Sequence, residues 1–422
     1  MLTFKFKLCV NSMMKMRNVV LRGLILCLIG VSIFINNGTN IVQAEDYDLV
    51  IYTYESLLAD PGYDFVEGFA NYSGIQKENI KLVLLDDANT IVTQAVLEKE
   101  NPVADVLIGI DNVLIHTAKR EGILKPYQPV NLENVSLDLI NNLDPEKYVV
   151  PYDYGIIALW YDNSRINTTS NPILGNLTLE DILTEGLDMK LTVEDPTLSS
   201  PGLGFLLWTI AVYGDPEINF DGLLNEDWRE WWKTASDNIR IAPSWGAAFD
   251  IYYSEEEKRP MMVSYGTSPA YDVCHPLWGV GQEVDPPSTA IVTNELGRQN
   301  AWLQIEGIGL VNNSENEVNA KQFINWFLGT ELQDKIATNN WMYPANTYAN
   351  VSSCFLDIAI NPSEVDILND MIPPSMLREN LDGWKADWEA QLAEFSSILT
   401  ILVSLVFAAV TYMVVRRIRK SK

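Results

Sequence analysis

The runs DLVIYT at 48–53, IKLVLL at 80–85 and DVLIG at 105–109 decide the fold class. Each is short, apolar and rich in β-branched residues. Apolar residues at helical spacing occupy 63–72 and 90–99 between them, and 114–121 follows the third run. Strands that read as continuous apolar runs, separated by helices, predict a parallel sheet covered on both faces. A second set opens at VVP (149–151), with strands expected over 156–161, 190–193 and 261–265 and helices over 201–213 and 227–236. Further strands are expected over 289–293 and 302–310, and a helix over 319–328. Two such sets predict an α/β protein of two lobes around a cleft. Ligands of open α/β sheets sit beyond the carboxyl ends of the strands, so the loops there are the place to look.

The 422 residues carry a net charge of −27, very unevenly placed. Five basic and no acidic residues precede Ala44, and five basic and no acidic residues follow Ser397. The stretch between holds all 56 acidic side chains against 19 basic ones. Such a surface repels phosphate backbones and excludes a nucleic-acid partner. With 47% hydrophobic residues the chain has ample apolar surface to fold.

The ends read as addresses. A basic lead, the apolar run GLILCLIGVSIFI (23–35) and the small residues before Glu45 predict a signal peptide over 1–44, an uncleaved anchor being the alternative. ILTILVSLVFAAVTYMVV (398–415), closed by RRIRK, predicts a membrane-spanning helix with a basic cytoplasmic tail at 416–422. The expectation is therefore a single-pass cell-membrane protein with its ligand-binding body outside. Seven N-x-Ser/Thr triplets, at Asn37, Asn71, Asn134, Asn167, Asn176, Asn312 and Asn350, suit a glycosylated exterior. Cys274 and Cys354 read equally well as a disulfide or as two buried thiols.

The loops after the expected strands are aromatic and acidic: YTYES (52–56), DD (86–87), DN (111–112), YDYG (152–155), SSPGLG (199–204), SWG (244–246), YGTSPAY (265–271) and WMYP (341–344). An aromatic face within about 6 Å of a cation contributes roughly 0.5–2 kcal/mol. Several faces and a carboxylate together suit a small, flat cation. Each of Tyr265, Tyr271 and Trp245 also reads as ordinary core, and Asp86-Asp87 as a solvated turn. Catalytic signatures are lacking: there is no G-x-S-x-G elbow, Walker loop or H-E-x-x-H helix. His116 and His275 lie too far apart in sequence to suggest a metal site. A binding protein is expected, not an enzyme.

Six of these stretches resemble the thiamine-binding proteins of bacterial ABC importers, in the same order along the chain. They are YTYESL (52–57), ADVLIGIDN (104–112), VPYDYG (150–155), DPTLSSPGLGFLLW (195–208), SYGTSPAY (264–271) and NWMYP (340–344). The resemblance implies a type II periplasmic-binding-protein fold whose lobes close on thiamine, thiamine monophosphate or thiamine diphosphate. It implies no cofactor, and a separate permease and ATPase as partners. On matching positions it implies ligand contacts at Tyr54, Asp87 and Ala88 in the first lobe, and at Ser199, Ser200, Trp245, Tyr265, Gly266, Thr267, Ser268 and Tyr271 in the second. Trp341 joins them from a returning segment. The aromatic faces would sandwich the pyrimidine and thiazolium rings, Asp87 would balance positive charge, and Ser199, Ser200 and Ser268 would bond the hydroxyethyl or phosphate end.

The organisation expected is a first lobe over 45–152 with a returning segment at 272–345, and a second lobe over 153–271. A helical segment and stalk over 346–396 and the membrane helix over 397–415 would follow. Two residues depart from the resemblance. Pro61 stands where relatives carry Trp, and Gly266 where a hydroxyl residue is usual. The other readings left open are a receptor for a different organic cation or a metal complex, and an enzyme on the same scaffold.

Overall fold

In the computed structural model the described residues are 47–391, except 131, 184–189, 237 and 276–285. The expected signal peptide, membrane helix and basic tail lie outside them. The chain divides after Tyr47, and every element of the fold belongs to the unit that begins at Asp48.

The described residues form fourteen strands: β1 Leu49–Tyr54, β2 Ile80–Leu85, β3 Val106–Asp111, β4 Leu124–Lys125, β5 Val149–Asp162, β6 Leu191–Glu194 and β7 Ile239–Ala242, then β8 Met261–Tyr265, β9 Ser288–Ile291, β10 Thr293–Glu295, β11 Arg298–Ala301, β12 Leu303–Val311, β13 Tyr343–Pro344 and β14 Asp366–Ile367. One sheet runs β2-β1-β3-β12-β5-β8-β6-β7, with β13 and β9 also on β5 and β4 on β12. β1 pairs parallel with β2 and β3, and β6 parallel with β7 and β8. β12, however, runs antiparallel to both β3 and β5, and β5 antiparallel to β8. The sheet is therefore mixed rather than parallel. The expected parallel order holds only within each βαβ set. β5 and β12 join the sets by running the opposite way, which a local apolar pattern does not report.

β5 is the spine. Its 14 residues pair with β12 over Val149–Ile156 and with β8 and β9 over Ile157–Asp162. It is longer than the six-residue strand expected because VVPYDYGIIALWYD is buried almost throughout. β1 and β3 are equally buried, which is what continuous apolar runs covered on both faces require.

The helix α1, Ser200–Tyr213, is buried on every side, and its sequence is apolar all round. Pro201 occupies its first turn, where the missing N–H costs nothing. Gly202 allows the helix to press on β6: a Cβ there would strike the backbone carbonyl of Glu194. Gly202→Ala is expected to lower stability by about 1–3 kcal/mol through forced overpacking. Denaturant unfolding that shows no loss would mean that the helix shifts freely.

A helix over 374–391 closes the described chain. It buries Trp384 and Trp388, the latter edge-on to Trp232 at 5.8 Å. Trp384 Nε1 donates to Asp215 at 2.7 Å, and Arg229 bonds both Asp215 and Asp387. A disulfide joins Cys274 to Cys354 with their Cα atoms 5.9 Å apart, which decides against two buried thiols.

Candidate ligand-binding site

The strand ends converge on a cavity of about 260 Å³. That is near the lower bound of ligand pockets, about 300–1,000 Å³, and suits a vitamin-sized molecule rather than a polymer. The loop after β1 lines it with Tyr54, Glu55, Ser56, Ala59 and Asp60, and the loop after β2 with Asp86, Asp87 and Ala88. The opposite side presents Ser200 and Pro201, Ser244 to Gly246, Phe249, Tyr265, Ser268 and Tyr271. Asn339 to Met342 arrive from the returning segment, and Glu306 from β12. No Lys, Arg or His is among the described residues that line it.

One wall is a continuous row of rings. Trp245 lies 5.1 Å from Phe249, Phe249 5.8 Å edge-on from Tyr271, and Tyr271 5.5 Å edge-on from Trp341. The helix α2, Trp245–Tyr253, puts Trp245 and Phe249 on one face because they are four residues apart. Trp245 Nε1 donates to Ser264 Oγ at 3.0 Å, and Ser264 and Ser268 share a bond of 2.7 Å. Trp341 adopts a left-handed backbone, φ 57° and ψ 34°, which bulky residues avoid. Its Nε1 donates to the Asp60 carbonyl at 2.8 Å, and its ring stacks on His275 at 5.8 Å. Asp60 ties this wall together: its carboxylate accepts Tyr271 OH at 2.6 Å and meets His275 Nε2 at 2.8 Å.

The floor is acidic. Asp87 caps the helix α3, Ala88–Leu97, and its carboxylate faces the first N–H groups of α1 and α2 at 3.4 and 3.5 Å. Burial pushes Asp87 up to about 6, against the opposing bonds from Ser199 and from the backbone of Ala88, Ser200 and Trp245. Helix N-termini favour a negative group at this point, so the site keeps a carboxylate that burial alone would neutralise. Behind it, Ser200 Oγ donates to the buried Asp111. Glu306 accepts Tyr54 OH at 2.7 Å, Tyr152 OH, and Gln304 Nε2 at 2.7 Å. Tyr54 lies flat over Gly109, where any Cβ would strike the ring and where φ is +107°. Only glycine meets both demands.

Nine of the twelve residues expected at the site line the cavity: Tyr54, Asp87, Ala88, Ser200, Trp245, Tyr265, Ser268, Tyr271 and Trp341. The other three stand behind the wall. Ser199 is fully buried beneath α1, Gly266 packs on Ile156 and Ile360, and the buried Thr267 turns its hydroxyl to Met342 Sδ at 3.8 Å. Asp60, Phe249, Glu306 and Asn340 were not among the expected contacts. Phe249 carried a signal, its i+4 spacing from Trp245. So did Glu306, which alternates with Gln304 as a polar pair inside an otherwise apolar strand. Asn340 had only its place in NWMYP and Asp60 carried none, since only the fold brings them near Tyr54 and Tyr271.

A mixed α/β sheet with aromatic and acidic strand-end loops around one closed-in cleft defines a small-molecule binding protein of the periplasmic-binding type. The chain belongs to the family of bacterial extracellular solute-binding proteins, whose model matches residues 56–334. It is 27% identical to the thiamine-binding periplasmic protein of Brucella suis biovar 1 (strain 1330) over 350 residues, which cover 82% of this chain and 92% of that one. With the thiamine-binding periplasmic protein of Escherichia coli (strain K12) it shares 28% over 309 residues, 72% of this chain and 82% of the other. Among solved structures, a periplasmic thiamin binding protein matches with a TM-score of 0.65 and 24% identity, covering 81% of this chain and 95% of that one. The ferric binding protein from Campylobacter jejuni matches with 0.60 and 19%, covering 81% and 99%. Likeness at these identities shows the fold.

These relatives are binding proteins, in keeping with the absence of catalytic motifs from the sequence. They also correct one expectation. The relatives are named as periplasmic, and no helix among the described residues is long and apolar enough to cross a membrane, so a single-pass membrane location is not supported. The segment 397–415, on which that expectation rested, lies outside the described residues.

Proposed function

We propose that this protein is the thiamine receptor of an ABC importer, capturing the vitamin in the cleft and presenting it to a permease and its ATPase. The observation that carries the reading is the pairing of a four-ring wall with acidic side chains in a cavity whose described lining holds no Lys, Arg or His. A flat cation satisfies both surfaces, and the Brucella suis and Escherichia coli relatives are named for thiamine. The rings of Trp245, Tyr271 and Trp341 sandwich the ligand, Asp87 balances the thiazolium charge, and Ser200 and Ser268 face its hydroxyethyl end. Residues 45–152 with 272–345 form one lobe and 153–271 the other. A ligand that touches both favours their closed arrangement by its differential affinity, and the closed form is what the permease reads.

Micromolar affinity needs about 8 kcal/mol, within reach of several ring contacts of roughly 0.5–2 kcal/mol each plus a buried counter-charge. Thiamine is expected to change the Trp fluorescence saturably at micromolar concentration. A flat titration, with a response to another organic cation instead, would reassign the ligand.

A further inference from the structure

Asp153 and Glu306 stand directly opposite each other on β5 and β12. Both are buried, 0% and 5% exposed. Glu306 reaches the cavity, while Asp153 lies behind it. Glu306 is held by three neutral donors, Tyr54, Tyr152 and Gln304. Asp153 accepts Asn340 Nδ2 at 2.6 Å, and its other oxygen meets no partner among the described residues. Neither carboxyl forms an ion pair with a described residue.

The groups that face them add no compensation. β1, β5 and β8 contribute the phenols Tyr54, Tyr152 and Tyr265, β3 contributes Asp111, and the returning segment contributes Asn340. At the loop after β2, Asp87 adds more negative charge, while Glu194 at the end of β6, with both oxygens unpartnered, is pushed well above the usual carboxylate range by burial. The ammonium of Lys385 acts on Asp111 from the helix over 374–391. Two like carboxyls in dry surroundings cannot both ionise. Burial first, and then the charge of Glu306, pushes Asp153 well above the usual carboxylate range. Burial also raises Glu306, against the phenol bonds that hold it ionised.

We propose that the cleft trades a proton for its cationic ligand at this pair: the empty site holds one proton between Asp153 and Glu306, and a positive charge arriving at Glu306 drives it out to solvent. This rests on the reading of the ligand as a cation. The ligand's charge replaces the proton's, so the buried pair never carries two uncompensated negative charges. The sign follows from linkage. The pair binds the cation best when deprotonated, so affinity rises with pH while the empty pair still holds its proton, by up to about tenfold per unit, and levels off above that range. Asp87 titrates lower, near 6, so measurements from about pH 7 upward leave it out, and Asp153→Asn separates the pair from Glu194.

The test has two arms. Infrared spectroscopy of the ligand-free full chain at neutral pH should show a protonated-carboxyl band that is missing from the Asp153→Asn variant. Calorimetry of thiamine binding in two buffers of different ionisation enthalpy should count up to one proton released per ligand in the natural protein and none in Asp153→Asn. Thiamine that binds with no proton released and with affinity flat over this pH range overturns the exchange, as does the absence of the infrared band. If Asp153→Asn does not fold, the count on the natural protein decides alone. A band with no thiamine binding leaves the shared proton standing and overturns the ligand assignment instead.

Discussion

Arg229→Ala is expected to cost about 3–5 kcal/mol of folding stability, the usual result of leaving one partner of a buried ion pair alone. Arg229 grips Asp215 with two parallel bonds of 2.8 and 3.2 Å and Asp387 with bonds of 3.0 and 2.7 Å. Its guanidinium lies 4.8 Å over the ring of Trp228. The side chain of Asp215 is 0% exposed, so its carboxylate cannot recover water when the arginine goes, whereas Asp387 at 41% can. The helix over 374–391 loses its Asp387 attachment at the same stroke and keeps the Trp384 bond to Asp215. Burial alone would raise Asp215, but bonds from Arg229 and Trp384 outweigh it and hold the carboxyl below the usual range. Its contribution is therefore present above the ordinary carboxylate pKa and disappears as pH falls through the lowered value, so the penalty of Arg229→Ala should shrink in acid. Urea unfolding at neutral and acidic pH measures both effects. A loss below about 1 kcal/mol at neutral pH would place the anchor of this helix elsewhere.

Trp245→Ala is expected to weaken thiamine binding by about 1–3 kcal/mol, roughly 5- to 150-fold in Kd, through lost stacking and cation–π contact. The ring is only half-buried, so its removal should disturb folding less than binding. Trp245→Phe keeps a face, though not the bond to Ser264, and should retain most of the affinity. Calorimetry is the suitable measurement, because the substitution removes one of the fluorophores. An alanine variant that binds as well as the natural protein would show that the ring row does not hold the ligand.

The α/β class was legible because it rests on local chemistry. The helix expected at 114–121 and the strand at 261–265 form with those bounds, and β1 and β3 read correctly as runs covered on both faces, whereas β2, at the sheet edge, leaves Lys81 and Leu84 exposed. Most of the cavity was legible for the same reason: strand-end loops must meet water or ligand, and a loop that spends Tyr, Trp and Asp there advertises a use. The direction of β5 and β12 was not legible. An apolar run looks alike whichever way it points, so the mixed sheet emerged only when the halves were assembled.

Asp60 and Asn340 show the same limit at the site. Asp60 meets Tyr271 from 211 positions away, and Asn340 meets Asp153 from 187. Glu306 is a polar residue inside a buried strand, and only the assembled sheet sets Asp153 beside it. Sequence alone determined which segments pair with the core and which loops carry rings and acids, because periodicity and side-chain chemistry are properties of neighbours along the chain. Tertiary structure alone decided which acids share a wall and which serine of the pair at 199–200 sees the cleft. Charge interaction and burial depend on distance through space, and chain closure sets that distance.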